Sequence, residues 1–221
     1  CALPIWLAFV KICSGQFERN TSYLNVRLGK NLKFSSPTAF MAEKKSIIDV
    51  AYPGDIIGLH DTGNFKIGDT LTEGEYLNFK GLPSFSPELF RYVENADPMK
   101  YKQLAKGLDQ LMDEGVAQLF ISSFNGRKII GTVGSLQFDV IQYRLKHEYG
   151  AECRYEPISL YKACWIKSTN NKQLDDFKKR KYQYIAKDKY DRDVFLADSA
   201  YSLQMAKEMF DEIEFYFKSE F

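Results

Sequence analysis

Between residues 8 and 80 the chain runs in short apolar-rich stretches broken by turn chemistry: AFVKI, YLNVRL, LKF, DIIGLH and FKIG, separated by Gly, Asn and Asp. Almost no apolar repeat of helical period occurs there, so these runs predict a small antiparallel β-barrel. Within 23–34, Asn25, Arg27 and Lys33 are expected to face water. Val26, Leu28, Phe34 and the off-register Leu24 are expected to turn inward, about a turn at Gly29-Lys30-Asn31. Residues 1–7 are apolar but fit no alternating strand and form an atypical N-terminal segment.

The texture changes at Gly81-Leu82-Pro83-Ser84-Phe85-Ser86-Pro87, where two prolines in five residues predict a linker. Beyond it, ELFRYVE predicts a strand. MKYKQLAKGLDQLMDEG predicts a helix started by Asp97-Pro98, with Tyr101, Leu104, Leu108 and Leu111 on one face. VAQLFIS and KIIGTV flank Asn125-Gly126 as a hairpin. SLQFDVIQYRLKHEYG is a second helix, capped by Ser135 and ended by Gly150, with Phe138, Ile141, Leu145 and Tyr149 in a stripe; the strand AECRYE follows. This βαββαβ order is the ferredoxin-like pattern of an α+β domain. YKACWIKS, NKQLDDFKKRK, YQYIAK, DVFLAD, AYSLQMAKEMF and IEFYF are expected to repeat it, although the first helix of the repeat offers only Leu174 and Phe177 to a core. The expected division is a segment 1–7, a barrel 8–80, a linker 81–87 and an α/β domain 88–221 with subunits 88–157 and 160–217.

Composition narrows the function classes. At 221 residues with 45% hydrophobic and 27% charged residues, the chain has material for packed cores and no signature of disorder. The net charge of +1 means that attraction to polyanions must come from local patches, which argues against a DNA-binding protein. Cys1, Cys13, Cys153 and Cys164 form no CxxC pair and none lies close to a histidine, so reduced thiols in a cytoplasmic protein fit better than a zinc site or disulfides. No apolar run reaches the length of about 18 residues that a membrane helix needs.

Catalytic motifs are absent or incomplete. No GxxxxGK[ST] loop is present to cradle phosphates. Asp55-Ile56-Ile57-Gly58 has the letters of a GTPase switch, and Asn171-Lys172-Gln173-Leu174 starts like a guanine-specificity motif but has Leu174 where an aspartate must read the base. Gly131-Thr132-Val133-Gly134 lies between a strand and a helix, where backbone amides can bind anions. A small phosphate-binding hydrolase could use that turn, but Asp139 stands where an arginine would be needed; the plainer reading is a tight turn with close packing. His60, beside Asp61, and His147 have no adjacent nucleophile, and the cysteines read as apolar fillers. No catalytic, cofactor-binding or metal-ligating residue is assigned.

With barrel and βαββαβ order in place, four strings become informative: FVKICSGQFE, VRLGKNLKFSSPTAFMA, AYPGDIIGLHDTGNFKIGDTLTEG and VGSLQFDVIQYRLKHEYGAECRYEP. Together they resemble the post-GTPase part of bacterial peptide chain release factor 3, the class II release factors, over residues 8 to 221. PGDIIGL and GDTL alone would fit any translational GTPase barrel, including elongation factor G relatives. LQFDV followed by YRL and EYG favours the release factor. The resemblance implies a ribosome-bound GTPase that promotes departure of class I release factors in termination. GTP and Mg would sit in a GTPase domain preceding this chain, and that domain would be a partner along with ribosomal RNA and proteins. It also implies a barrel strand ahead of AFVKI, which CALPIW does not match.

For such a chain the candidate RNA contacts are the basic residues. Arg27, Lys30 and Lys33 lie on and beside one barrel hairpin, and Lys178, Lys179, Arg180 and Lys181 form the densest positive run. The run also sits at a predicted helix C-terminus, where cations are favoured by the macrodipole alone.

Overall fold

A computed structural model describes residues 6–41, 44–61, 65–77, 79 and 84–219. The chain divides into two compact units, Cys1–Gly81 and Leu82–Phe221. Among the described residues no helix is long and apolar enough to cross a membrane.

The N-terminal unit is an antiparallel β-barrel. Its strands are β1 (Trp6–Lys11), β2 (Phe17–Glu18), β3 (Ser22–Asn25), β4 (Lys30–Lys33), β5 (Thr38–Met41), β6 (Lys44–Ile47), β7 (Val50–Ala51), β8 (Ile56–Asp61) and β9 (Leu71–Thr72). They form ladders β1-β8-β5-β6, β4-β3-β9 and β2-β7. Ile12, Phe17, Tyr23, Phe34, Ala51, Ile57 and Leu59 fill the interior, with the Phe17 and Tyr23 rings stacked at 5.1 Å.

Four expectations for this unit are corrected. β1 begins at Trp6, opposite Asp61, so the strand reaches into the segment set apart as 1–7; residues 1–5 lie outside the described part. The hairpin turn occupies 26–29, because Asn25 pairs with Lys30 and its Oδ1 accepts the Leu28 N–H at 3.0 Å. Asn25 is therefore buried rather than wet. FKIG is a turn: the Asp69 carboxylate accepts the Lys66 N–H at 3.1 Å and the Asp69 N–H returns to the Lys66 carbonyl, leaving pairing to Leu71–Thr72. β5 and β6 were not visible in the sequence pattern.

The C-terminal unit contains β10 (Ser84–Phe85), β11 (Leu89–Asn95), α1 (Tyr101–Asp113), β12 (Gln118–Ser122), β13 (Lys128–Thr132), α2 (Leu136–Tyr149) and β14 (Cys153–Pro157). It continues through β15 (Lys162–Lys167), α3 (Asn171–Arg180), β16 (Ile185–Asp188), β17 (Asp193–Ala197), α4 (Ala200–Met209), β18 (Glu214–Tyr216) and β19 (Lys218–Ser219). Eight strands form one sheet in the order β14-β11-β13-β12-β16-β17-β15-β18. The first four have the ferredoxin-like order, and the last four repeat it in reverse. The halves join where β12 pairs antiparallel with β16, Phe120 opposite Asp188 and Ser122 opposite Ala186.

Each half has its own helix-covered core. Leu104, Leu108 and Leu111 of α1 meet Phe138, Ile141 and Leu145 of α2 in one; Phe177 of α3 meets Phe195, Leu203 and Phe210 in the other. Phe177 is fully buried, with ring contacts to Phe195, Phe210 and Phe215, which is how a helix with so few apolar positions docks. A third cluster draws on both halves: Phe120 lies 6.3 Å from Phe90 and 6.4 Å from Trp165, with Ile129, Val194 and Leu196 around them.

Two local expectations differ for physical reasons. Tyr101 is 62% exposed, because a 3-10 turn at Pro98–Lys100, capped by Asp97 accepting the Met99 N–H, precedes α1 and leaves Tyr101 at its outer edge. The segment 81–87 was expected as a linker, but residues 84–87 are a strap within the unit. Ser84 and Phe85 pair with Ser219 and Lys218, the Ser86 N–H donates to the Phe217 carbonyl, and Ser86 Oγ accepts the Ala163 N–H at 3.1 Å. Residues 81–83 lie outside the described part.

At the joint, the buried Asp188 carboxylate accepts Trp165 Nε1–H at 2.9 Å, the Tyr190 and Arg192 amides at 2.9 Å each, and Arg192 Nε–H at 2.7 Å. Replacing Asp188 with Ala strands a buried indole N–H and frees the β16–β17 turn. We expect a loss of about 1–3 kcal/mol in urea unfolding of the chain; a loss below about 0.5 kcal/mol would refute the role given to this carboxylate.

Candidate functional site

The barrel hairpin separates its three candidate cations. Arg27 sits in the turn and is turned back onto the barrel: its Nε lies 2.5 Å from Asp69 Oδ1 and its Nη2 2.8 Å from Oδ2. The Asp69 side chain is only 5% exposed and also accepts Asn25 Nδ2–H at 3.1 Å. Burial pushes its pKa up, but the bonds from Arg27, Asn25 and the Lys66 amide outweigh that and leave it below the usual carboxylate value. Lys30 and Lys33 project from β4, an edge strand, and are exposed; among the described residues neither has a carboxylate within ion-pair distance. Lysines on an edge strand also hinder unwanted strand pairing, so their position has a folding explanation as well.

The 178–181 run is similarly divided. Lys178 pairs with Asp193, which also holds Lys187 at 3.0 Å. Burial raises the Asp193 pKa, and the two ammonium groups more than reverse that. Arg180 pairs with Asp176 at 2.9 Å and lies over the Phe210 ring. Lys179 is exposed and Lys181 half-exposed, with no carboxylate partner among the described residues; the Lys181 N–H bonds the Phe177 carbonyl where α3 ends. Of the candidates, Lys30, Lys33, Lys179 and Lys181 keep their charge unpaired.

The Gly131–Gly134 turn is closed to anions by its own helix. Gln137 Oε1 accepts the Val133 N–H at 2.9 Å and the Gly134 N–H at 3.1 Å, doing what Ser135 was expected to do; Ser135 itself is helical and makes no cap bond. Gly131 is needed for close approach, since a Cβ there would meet Pro87 Cβ at 2.8 Å and Phe120 Cε2 at 3.0 Å. A Cβ at Gly134 would meet nothing within 4 Å.

The remaining motifs resolve into structure. Asp55 closes a turn by accepting the Tyr52 N–H at 2.8 Å, and the Asn171–Leu174 string is the first turn of α3, capped by Asn170. His60 is exposed and Asp61 buried, as alternation along β8 requires, and Asp61 accepts the Phe65 N–H. Burial pushes the Cys164 thiol up to about 12 and also raises Cys153, which suits apolar fillers rather than nucleophiles. Sequence reasoning missed Asp69 and Gln137, which decide the availability of Arg27 and of the glycine turn. For Gln137 a signal existed, a glutamine in the first turn of a helix that can reach back to free amides; for Asp69 there was none.

A β-barrel followed by an α+β unit built on one doubled ferredoxin-like sheet is the non-catalytic architecture of a translational-GTPase-related factor. Residues 6–74 match elongation factor G domain 2. Residues 79–207 match the class II release factor RF3 C-terminal domain, and with more than half of its length in that match the chain belongs to the class II release factor RF3 family. Among solved structures it is similar to a Thermus thermophilus protein determined by crystallography, with a TM-score of 0.57 at 18% identity. The alignment covers 74% of this chain and 27% of that one, and it supports the fold.

Gly131→Ala should destabilise the chain by about 1–3 kcal/mol through overpacking against Pro87, while Gly134→Ala stays within about 0.5 kcal/mol, both measured by urea titration. Asp69 has a lowered folded pKa, so its ionised form stabilises the barrel above its unfolded value and that contribution is lost as pH falls through the folded pKa. The stability difference between the wild type and Asp69→Asn should therefore be largest near neutral pH and shrink as pH is lowered below about 4; a difference that grows on acidification would contradict the assignment.

Proposed function

We propose that this chain is the ribosome-docking, non-catalytic part of a class II release factor that promotes release of class I release factors from the ribosome in translation termination. The observation that carries this reading is the match of residues 79–207 to the RF3 C-terminal domain. The elongation-factor alternative has the barrel match in its favour, but residues 6–74 alone do not separate the two classes. The hydrolase alternative would need the Val133 and Gly134 amides, which Gln137 occupies.

In this reading GTP and magnesium belong to a GTPase domain, which with ribosomal RNA, ribosomal proteins and class I release factors makes up the set of partners, all in the cytoplasm. The part played by this chain's own residues is positional. Its sheet and barrel form frames from which Lys30, Lys33, Lys179 and Lys181 present unpaired ammonium groups to phosphates, releasing counterions on contact. Arg27 and Lys178 meet largely buried carboxylates, so their removal is expected to act first on stability, whereas Arg180 is held in an exposed pair with Asp176.

Ribosome co-sedimentation across a salt series tests this. Lys30→Glu/Lys33→Glu and Lys179→Glu/Lys181→Glu should each weaken binding and flatten the plot of log affinity against log salt by roughly one unit for every phosphate no longer neutralised. Arg27→Ala should instead lower the thermal midpoint. Unchanged sedimentation and slope for both lysine pairs would refute the assignment of these lysines to RNA.

A further inference from the structure

α2 is apolar on two sides. Phe138, Ile141 and Leu145 point into the core and are fully buried. On the opposite side Leu136 is 71%, Val140 42% and Tyr143 65% exposed, and the exposed His147 continues the line with its ring 4.2 Å from that of Tyr143. The spacing of four, three and four residues places all four side chains on one stripe, about 16 Å long. Isolated exposed apolar residues are ordinary on a protein surface, but a continuous stripe at helical spacing is how a helix presents itself to a partner.

The charges bordering the stripe say what kind of partner fits. Arg144 is held by Glu114 at 2.5 Å and Glu148 at 2.7 Å, and Lys146 by Glu152 at 2.7 Å, so both cations of the helix are already neutralised. Asp139, three residues after Leu136 and four before Tyr143, has no hydrogen-bond or ion-pair partner among the described residues. A phosphate backbone arriving here would meet a carboxylate and no unpaired lysine or arginine of this helix.

We propose that the outward face of α2, formed by Leu136, Val140, Tyr143 and His147 beside Asp139, is a docking surface for a basic amphipathic protein helix. The partner's apolar ridge covers the stripe, and a lysine or arginine beside that ridge meets Asp139. This surface is distinct from the lysines assigned to RNA, and the proposal stands apart from the ribosome reading.

The probe is a labelled 18-residue Leu/Lys amphipathic helix, compared with its Leu/Glu counterpart and with poly(U), followed by fluorescence anisotropy on the whole chain at physiological salt. The Leu/Lys peptide should bind and the Leu/Glu peptide should not. Leu136→Ser/Tyr143→Ser should weaken binding roughly tenfold or more while leaving the thermal midpoint unchanged, because both side chains are exposed. Asp139→Lys should shift the preference toward the Leu/Glu peptide. Leu/Lys binding that ignores these substitutions, poly(U) binding that depends on Leu136 and Tyr143, or a dimer in sedimentation equilibrium that the double substitution dissolves would each overturn the proposal. None of these results bears on ribosome co-sedimentation by the lysine pairs, so the two readings fail separately.

Discussion

The antiparallel pairing of β12 with β16 makes two βαββαβ repeats into one sheet, and the arrangement of the C-terminal unit follows from it. Each repeat alone would leave a strand edge with unpaired amides and carbonyls. Joined edge to edge, they satisfy those groups and bring Phe120 of one half against Trp165 of the other. Asp188, opposite Phe120 in the register, is buried at the same joint and finds its donors in Trp165 and Arg192. The burial of a carboxylate is tolerable there because hydrogen-bond donors converge on it. The strap at residues 84–87 depends on the same joint, since it bonds Ala163 and Phe217 of the second half while Pro87 packs on Gly131 of the first.

Electrostatics on this chain are governed by pairing more than by the count of basic residues. The net charge of +1 reflects nearly equal numbers of basic and acidic residues, and the structure shows which of the candidate cations meet a carboxylate. Arg27, Lys178 and Arg180 are committed to Asp69, Asp193 and Asp176; Arg144 and Lys146 are committed on α2. The exposed pairs contribute little to stability, but they remove charge from any surface offered to RNA. Of the seven candidate cations, Lys30, Lys33, Lys179 and Lys181 are left without carboxylate partners among the described residues, and on α2 an apolar stripe lies beside an unpaired carboxylate. These two chemistries suit different kinds of partner.

Much of the fold was legible because it is written in short-range signals. The αβ alternation, the Asn125-Gly126 hairpin and the apolar stripes of α1 and α2 depend on residues within a few positions of each other. The doubled ferredoxin-like order followed from their sequence. The errors were also local in origin: the turn after β3 moved because of the Asn25 side chain, FKIG became a turn because of Asp69, and Ser135 yielded its cap to Gln137. In each, a side chain bonded to backbone displaced the simpler expectation from residue type alone.

Taken alone, the order of amino acids was enough to give the class of both units and the family they resemble, because periodicity, turn chemistry and motif order are one-dimensional properties. Which candidate residues remain available was settled only by packing in three dimensions. Arg27 meets Asp69 across 42 positions, Gly131 meets Pro87 through a strap that read as a linker, and the two repeats share one sheet because Phe120 comes to lie opposite Asp188. Whether a charge is free, a turn is open or an edge is covered depends on distances in space that no spacing along the chain encodes.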